Sequence, residues 1–192
     1  MINTKNLLER KIMITRKWVM PNPETFQMKP VKELLLKYIE LKKKETNRDL
    51  IIIDPFARDS QIGTITNDLN PNTKAQYHLD ASDFLDQLKI NNIKADIIIF
   101  DPPYSPRQVK EVYESIGRKV TAQDTQNGRY NKIIKDKLTE LLANNGLVIS
   151  FGWNSCGFGL KRGFKIVEIL LLCHGGSHND TIITVEEIGI KK

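Results

Sequence analysis

Cysteines, aromatic residues and long apolar runs are all scarce in this 192-residue chain, and each shortage excludes a class of protein. Two cysteines, Cys156 and Cys173, are too few for the disulfide framework of a small secreted domain. A reducing, cytoplasmic setting is therefore expected, with both thiols acting as small buried apolar groups. The longest unbroken apolar run, Ile169 to Cys173, falls far short of the roughly 20 residues of a membrane span. The N-terminus, MINTKNLLERK, has neither an apolar stretch nor a small-residue cleavage site, so no signal peptide is expected. Aromatics make up 7% and charged residues 27%, a balance that supports a folded core rather than disorder. With no repeat, low-complexity tract or linker, the chain reads as one domain over residues 1–192.

Negative charge is also short. The 29 Lys and Arg face 23 Asp and Glu, for a formal net charge of +6. Residues 1–49 hold 12 of the basic residues and six of the acidic ones, which accounts for the whole excess. It lies around Lys5, Arg10, Lys11, Arg16, Lys17 and the run Lys42-Lys43-Lys44. A basic segment on a neutral body points to a polyanionic partner, because phosphate contacts release counterions. Taken alone, Lys42–Lys44 reads as a solvated helix face.

Apolar β-rich runs alternate with stretches of helical period. Strands are predicted at Leu50–Asp54, Thr64–Leu69, briefly near Tyr77–Leu79, and at Asp96–Phe100, Gly146–Phe151, Phe164–Cys173 and Thr181–Ile188. Helices are predicted at Pro30–Glu45, Ser82–Lys89, Pro106–Ile116 and Asn131–Ala143. The alternation implies an α/β fold with a mostly parallel central sheet covered on both faces. Only Gly175 to Asp180 joins the last two strands, which is too short for a parallel crossover, so the last strand runs antiparallel. Nine residues, Pro55 to Gly63, separate the first two strands, whereas a crossover helix needs about a dozen. The first helix is thus cut to a binding loop at the carboxyl edge of the sheet, where open α/β sheets take their ligands.

The motif with the most specific chemistry is Asp101-Pro102-Pro103-Tyr104, directly after the apolar run Ile97-Ile98-Ile99-Phe100. Two prolines fix φ and donate no backbone hydrogen bond, so the turn is stiff and its carbonyls point outward. The Asp101 carboxylate and the Pro102 carbonyl become paired acceptors beside the flat ring of Tyr104. That arrangement receives a planar base with an exocyclic amine: the two N–H groups meet the acceptors and the base stacks on Tyr104.

Asp101-Pro102-Pro103-Tyr104 resembles the catalytic motif of amino-methyltransferases that use S-adenosylmethionine, chiefly the adenine-N6 DNA methyltransferases. Asp54-Pro55-Phe56-Ala57 is similar to their cofactor loop, and Asn67-Asp68-Leu69-Asn70-Pro71 to the acidic turn ending the second strand. Leu79-Asp80-Ala81-Ser82-Asp83-Phe84 resembles their third motif, and the stretch Trp18 to Pro30, with Phe26, the segment on the cofactor's methionine end. The pattern resembles small methylases of bacteriophages and prophages. The resemblance implies a Rossmann-like methyltransferase fold with S-adenosylmethionine as cofactor and residues 1–49 packed on the cofactor side. It implies Asp101, Pro102, Pro103 and Tyr104 as catalytic residues, and Phe26, Asp54, Pro55, Phe56, Ala57, Asp68, Asn70, Asp80 and Ala81 around the cofactor. Asp68 would take the ribose hydroxyls and Asp80 the adenine amine. Both are also suited to simple turn capping. A sulfonium cofactor carries no phosphates, in keeping with the lack of a phosphate-cradling G-x-G-x-x-G.

The implied reaction is methyl transfer to the N6 amine of adenine in DNA. The alternatives are RNA adenine methylation or a non-catalytic nucleic-acid-binding relative. Cytosine-N4 enzymes usually begin this motif with Ser and glutamine methyltransferases with Asn, so Asp101 speaks against both. The family's glycine-rich finger is replaced by Ala57-Arg58-Asp59-Ser60; Arg58 either blocks close approach of the cofactor or reaches its carboxylate. No target-recognition domain is present, so specificity must be low or come from short loops, a partner or a homodimer. Trp153, Asn154 and His178 are candidates for the base pocket. Arg118 and Arg129 bracket a polar segment expected either to close over the substrate or to form a plain surface loop. His174 and His178 read as hairpin turn residues, and no metal is expected.

Overall fold

The computed structural model describes residues 11–119 and 127–189. β1 (Met13–Trp18) leads through a 3-10 turn at Thr25–Gln27 to α1 (Lys29–Thr46), then β2 (Ile52–Asp54) and β3 (Ile65–Thr66). α2 (Ala81–Ile90), β4 (Ala95–Phe100), α3 (Pro106–Ser115) and α4 (Asn127–Leu141) follow. β5 (Leu142–Gly152), β6 (Phe164–Cys173) and β7 (Thr181–Ile188) complete one sheet in the order β1-β6-β7-β5-β4-β2-β3. β7 pairs antiparallel with both β5 and β6, while every other pairing is parallel. The fold is therefore α/β with a mostly parallel sheet, and β2 passes to its parallel neighbour β3 through a loop without a helix.

β4 is buried along its whole length because both sheet faces are covered. Its alternation sends Ile97 and Ile99 to the core under α1, and Ile98 and Phe100 to the core under α2 and α4. Each fully buried isoleucine contributes about 1.5–3 kcal/mol. α1 seals its core alone, with Val31, Leu34, Leu35 and Tyr38 on one stripe, and stops at Asn47 in the left-handed conformation, φ 52°. Asp80 caps α2 by accepting from the Ser82 amide at 2.8 Å.

Several expectations need correction. β1 was not foreseen, because its mixed sequence MITRKW shows no apolar alternation; it pairs at an edge and is mostly exposed. The strand expected at Tyr77–Leu79 is a single bridge between Asn67 and Tyr77, and Thr64–Leu69 shrinks to two paired residues. Hydrogen bonds from the Asn67 side chain to Pro55, at 3.2 Å, and to Leu79, at 3.0 Å, take over what ladder bonds would do there. Lys42 is not on a solvated face: it is buried, donating to the Asn145 carbonyl at 2.5 Å and to Glu45 at 2.7 Å. Cys156 is exposed, because it sits in the irregular β5–β6 connection, while Cys173 is buried at the end of β6. No helix among the described residues is long and apolar enough to cross a membrane.

Candidate active site

Parallel strands deliver their following loops to one edge, and the chain segments after β1, β2, β3, β4, β5 and β6 enclose a cavity of about 1000 Å³ there. Asp68, Asn70, Asp80 and Ala81 line it, as do Pro55 and Phe56. Asp101, Pro102, Pro103 and Tyr104 line it too, together with Trp153, His178 and Arg118. Five predicted site residues stand apart. Asp54 lies behind the loop. Phe26 and Ala57 border a second cavity of about 490 Å³, which Asp101 also reaches. Asn154 is exposed, its Oδ1 accepting the Cys156 amide at 3.0 Å in a local turn. Arg129 is exposed on the first turn of α4 and lines neither cavity. Most of the polar segment between Arg118 and Arg129, residues 120–126, lies outside the described residues.

The cofactor-side loop is held by its own carboxylates. Asp68 Oδ2 accepts the Arg58 amide at 3.0 Å and Oδ1 the Asn70 amide at 2.8 Å. A carboxylate offers about four lone-pair sites, so each oxygen keeps one for a ligand. Asp54 Oδ1 accepts the Phe56 amide at 3.1 Å, whereas Oδ2 has no hydrogen-bond partner among the described residues. Burial pushes the Asp54 carboxyl well above the usual range. A β-carbon at Gly63 would lie 3.0 Å from that of Asp54, so only glycine lets the loop close over it.

Arg58 occupies the left-handed region, φ 51°, which the missing glycine would favour. Its guanidinium donates to the Pro23 carbonyl at 2.6 Å and so ties the loop to the segment after β1. On the far wall the Tyr130 hydroxyl donates to Asp80, at 3.3 Å from Oδ1 and 3.2 Å from Oδ2. Asp68 and Asp80 are thus both turn caps and cavity wall.

The proline corner departs from the open receptor expected of it. The Tyr104 hydroxyl donates to Asp101 Oδ1, so one acceptor is engaged within the chain. Desolvation raises the Asp101 carboxyl to about 6, against the pull of the Tyr104 and Thr25 hydroxyls and the Arg58 charge. Burial beside Asp101 raises Tyr104 well above the usual phenol range, which keeps its hydroxyl a neutral donor. The Tyr104 amide donates to Gln108 Oε1 at 2.6 Å, and its ring meets Trp153 edge-on, 5.8 Å between centroids. The His174 ring bonds the Val19 carbonyl at 2.8 Å and Thr181 Oγ1 at 2.9 Å, fixing the hairpin that carries His178. Thr25, Gln108 and Tyr130 were not foreseen; each is an ordinary helix or turn residue in sequence, with no local pattern to mark it.

No family model and no curated protein matches the sequence. Solved structures match the fold. NSun6 from Pyrococcus horikoshii, solved with SFG, aligns with a TM-score of 0.51 at 15% identity, over 79% of this chain and 51% of that one. TrmN from Thermus thermophilus gives 0.51 at 15% identity, over 84% and 49%. A SAM-dependent methyltransferase from Agrobacterium tumefaciens gives 0.50 at 12% identity, over 83% and 62%. The architecture is the Rossmann-like methyltransferase fold. At these identities the likeness is one of fold, and the chain spans about half the length of NSun6 and TrmN. Within the methyltransferase fold, both cavities open at the carboxyl edge of the parallel strands.

Proposed function

We propose that the protein transfers a methyl group from S-adenosylmethionine to the N6 amine of adenine in DNA. The observation that carries this reading is one cavity walled on one side by Asp68 and Asp80 and on another by Asp101, Pro102, Pro103 and Tyr104. Its volume of about 1000 Å³ is at the upper end of ordinary ligand sites, enough for a cofactor and an extruded base together. The residues fit the cofactor. Asp68 retains lone pairs for ribose hydroxyls, and Asp80 lies at the adenine end beside Tyr130. The second cavity, bordered by Phe26, Ala57 and Arg58, leaves room for the methionine end.

When bound, S-adenosylmethionine supplies an electrophilic methyl carbon. Asp101 and the Pro102 carbonyl accept the two N–H bonds of the base amine, drawing its nitrogen toward tetrahedral geometry and freeing its lone pair. The Tyr104 hydroxyl occupies only Oδ1 of Asp101, and its ring stacks on the base beside Trp153. Asp101 takes the proton that the methylated nitrogen loses; a carboxyl raised to about 6 is still mostly ionised at neutral pH. The rest of catalysis is positioning of two reactants.

Isothermal calorimetry with S-adenosylmethionine tests the cofactor, and a flat titration would leave a non-catalytic module. Radiolabelled methyl transfer to duplex DNA and to structured RNA, followed by nucleoside analysis, tests the substrate. N6-methyladenine in DNA is the expected product; label confined to RNA would move the assignment to RNA adenine methylation.

A further inference from the structure

Among the described residues, the β5–β6 connection leaves part of one sheet face bare. Residues 153–163 contain only the 3-10 turn Leu160–Arg162, where a doubly wound sheet carries a crossover helix. The core opposite α1 therefore covers β2, β4, β5 and only the start of β6. Leu170 and Leu172 point into the α1 core, so Ile169 and Leu171 face the other way, half-buried. The register places Ile14, Arg16 and Trp18 beside Ile169, Leu171 and Cys173 on that bare face. Ile14 is 70% exposed and Trp18 66%.

This strip has the chemistry of a nucleic-acid track. From Lys11 to Pro23 there are three cations, Lys11, Arg16 and Lys17, and no acid; Arg16 shares the face of Trp18, while Lys17, beside Leu172, is on the opposite face of β1. Arg16 Nε donates to Cys173 Sγ at 2.9 Å, which fixes the guanidinium at the end of β6. The Trp18 ring lies on the β6–β7 hairpin: a β-carbon at Gly175 would come within 2.1 Å of it, and Gly175 has φ +70°. That hairpin carries His178 into the cavity, and the chain beyond β1 supplies Pro21 and Pro23 to the same wall. An exposed indole beside an arginine binds an unpaired strand by base stacking and phosphate contact. A second copy on this edge would set its cations against these.

We propose that the bare face of β1 and β6 guides the substrate strand to the cavity, with Trp18 stacking on a base and Arg16 meeting a phosphate. The proposal rests on the reading of the protein as a nucleic-acid enzyme, and its test is independent of methyl transfer because binding is read without cofactor. The probe is a fluorescein-labelled single-stranded DNA 12-mer followed by anisotropy, with RNA of the same sequence alongside. Trp18→Ala is expected to weaken binding about tenfold. Arg16→Ala should weaken it about threefold and lower the log–log salt slope by about 0.7. Lys43→Ala, on the exposed last turn of α1, should leave binding unchanged. In Trp153→Phe protein Trp18 is the sole tryptophan, and its fluorescence should be quenched by either strand. Wild-type affinity in Trp18→Ala, no quenching, or no binding of either strand overturns the proposal. A protein dimer that Trp18→Ala splits in sedimentation velocity, without oligonucleotide present, overturns it in favour of self-association.

Discussion

Two carboxylates bracket strand β4, and its two ends treat them differently. At the start of β4, Asp96 accepts both Arg48 terminal nitrogens, at 2.8 and 2.7 Å, and the Ile51 amide at 2.8 Å. Just past the end of the same strand, Asp101 has hydroxyl donors, no amide or guanidinium bond among the described residues, and a cavity in front. Burial alone therefore does not mark a functional acid. A carboxylate whose lone pairs are committed to guanidinium and amide donors stabilises the fold, while one left partly unsatisfied beside a void is available to a ligand.

The strongest way to break the comparison is to remove each carboxylate in turn. Asp101→Ala is expected to lower labelled methyl transfer by about 10³-fold or more, while calorimetric affinity for the cofactor stays within about threefold. Full activity in that variant would end the catalytic assignment. Asp96→Ala should instead cost about 3 kcal/mol in denaturant unfolding, because Arg48 and the Ile51 amide lose their partner. Specific activity per folded molecule should be unchanged.

The pH dependence separates the two ends further. The Asp101 carboxyl is higher in the folded protein, about 6, than in an unfolded chain, so its protonated form is the one the fold favours. The stability it contributes is fully present below the unfolded value and is lost as pH rises through about 6. Transfer has the opposite requirement and should fall about tenfold per pH unit below 6, measured at saturating substrate. Asp101→Asn should accordingly gain about 1–2 kcal/mol of stability at pH 7.5, seen as a raised melting temperature, while losing transfer. Stability unchanged between pH 4 and 7 in a comparison of wild type with this variant would refute the buried-acid account.

The smallest expected effect belongs to Tyr104→Phe, which keeps the stacking ring but removes the hydroxyl from Asp101. Since that hydroxyl lowers the Asp101 carboxyl, its loss should move the acid limb of the rate profile upward by a few tenths of a pH unit. The transfer rate at pH 8 should change by less than about threefold.

Much of this architecture was legible in the sequence, for identifiable reasons. Ile97 to Phe100 is a continuous apolar run ending in Asp101-Pro102-Pro103-Tyr104, and such a run suits only a strand buried on both faces. The distance from Asp54 to Thr64 was too short for a crossover helix, and the short hairpin after Cys173 forced an antiparallel last strand. β1 was illegible because an exposed edge strand needs no apolar alternation. The burial of Lys42 was hidden for a related reason: its partner, the Asn145 carbonyl, is over a hundred residues away. Arg58 was recognised as the residue standing where a glycine is usual, but its contact with the Pro23 carbonyl was not foreseeable.

What the sequence determined by itself is local: periodicity, chain length between strands, and the stiffness of a two-proline turn are properties of neighbouring residues. Tertiary structure alone decided which acids are spent on the fold. Asp54, Asp68, Asp80, Asp96 and Asp101 look alike along the chain, each near one end of a strand or helix. The arrival of Arg48 at Asp96 and of Tyr130 at Asp80 from other elements, and the folding of Tyr104 back onto Asp101, distinguish them. The physical reason is that a buried carboxylate takes its character from the donors around it, and those donors are assembled by long-range packing.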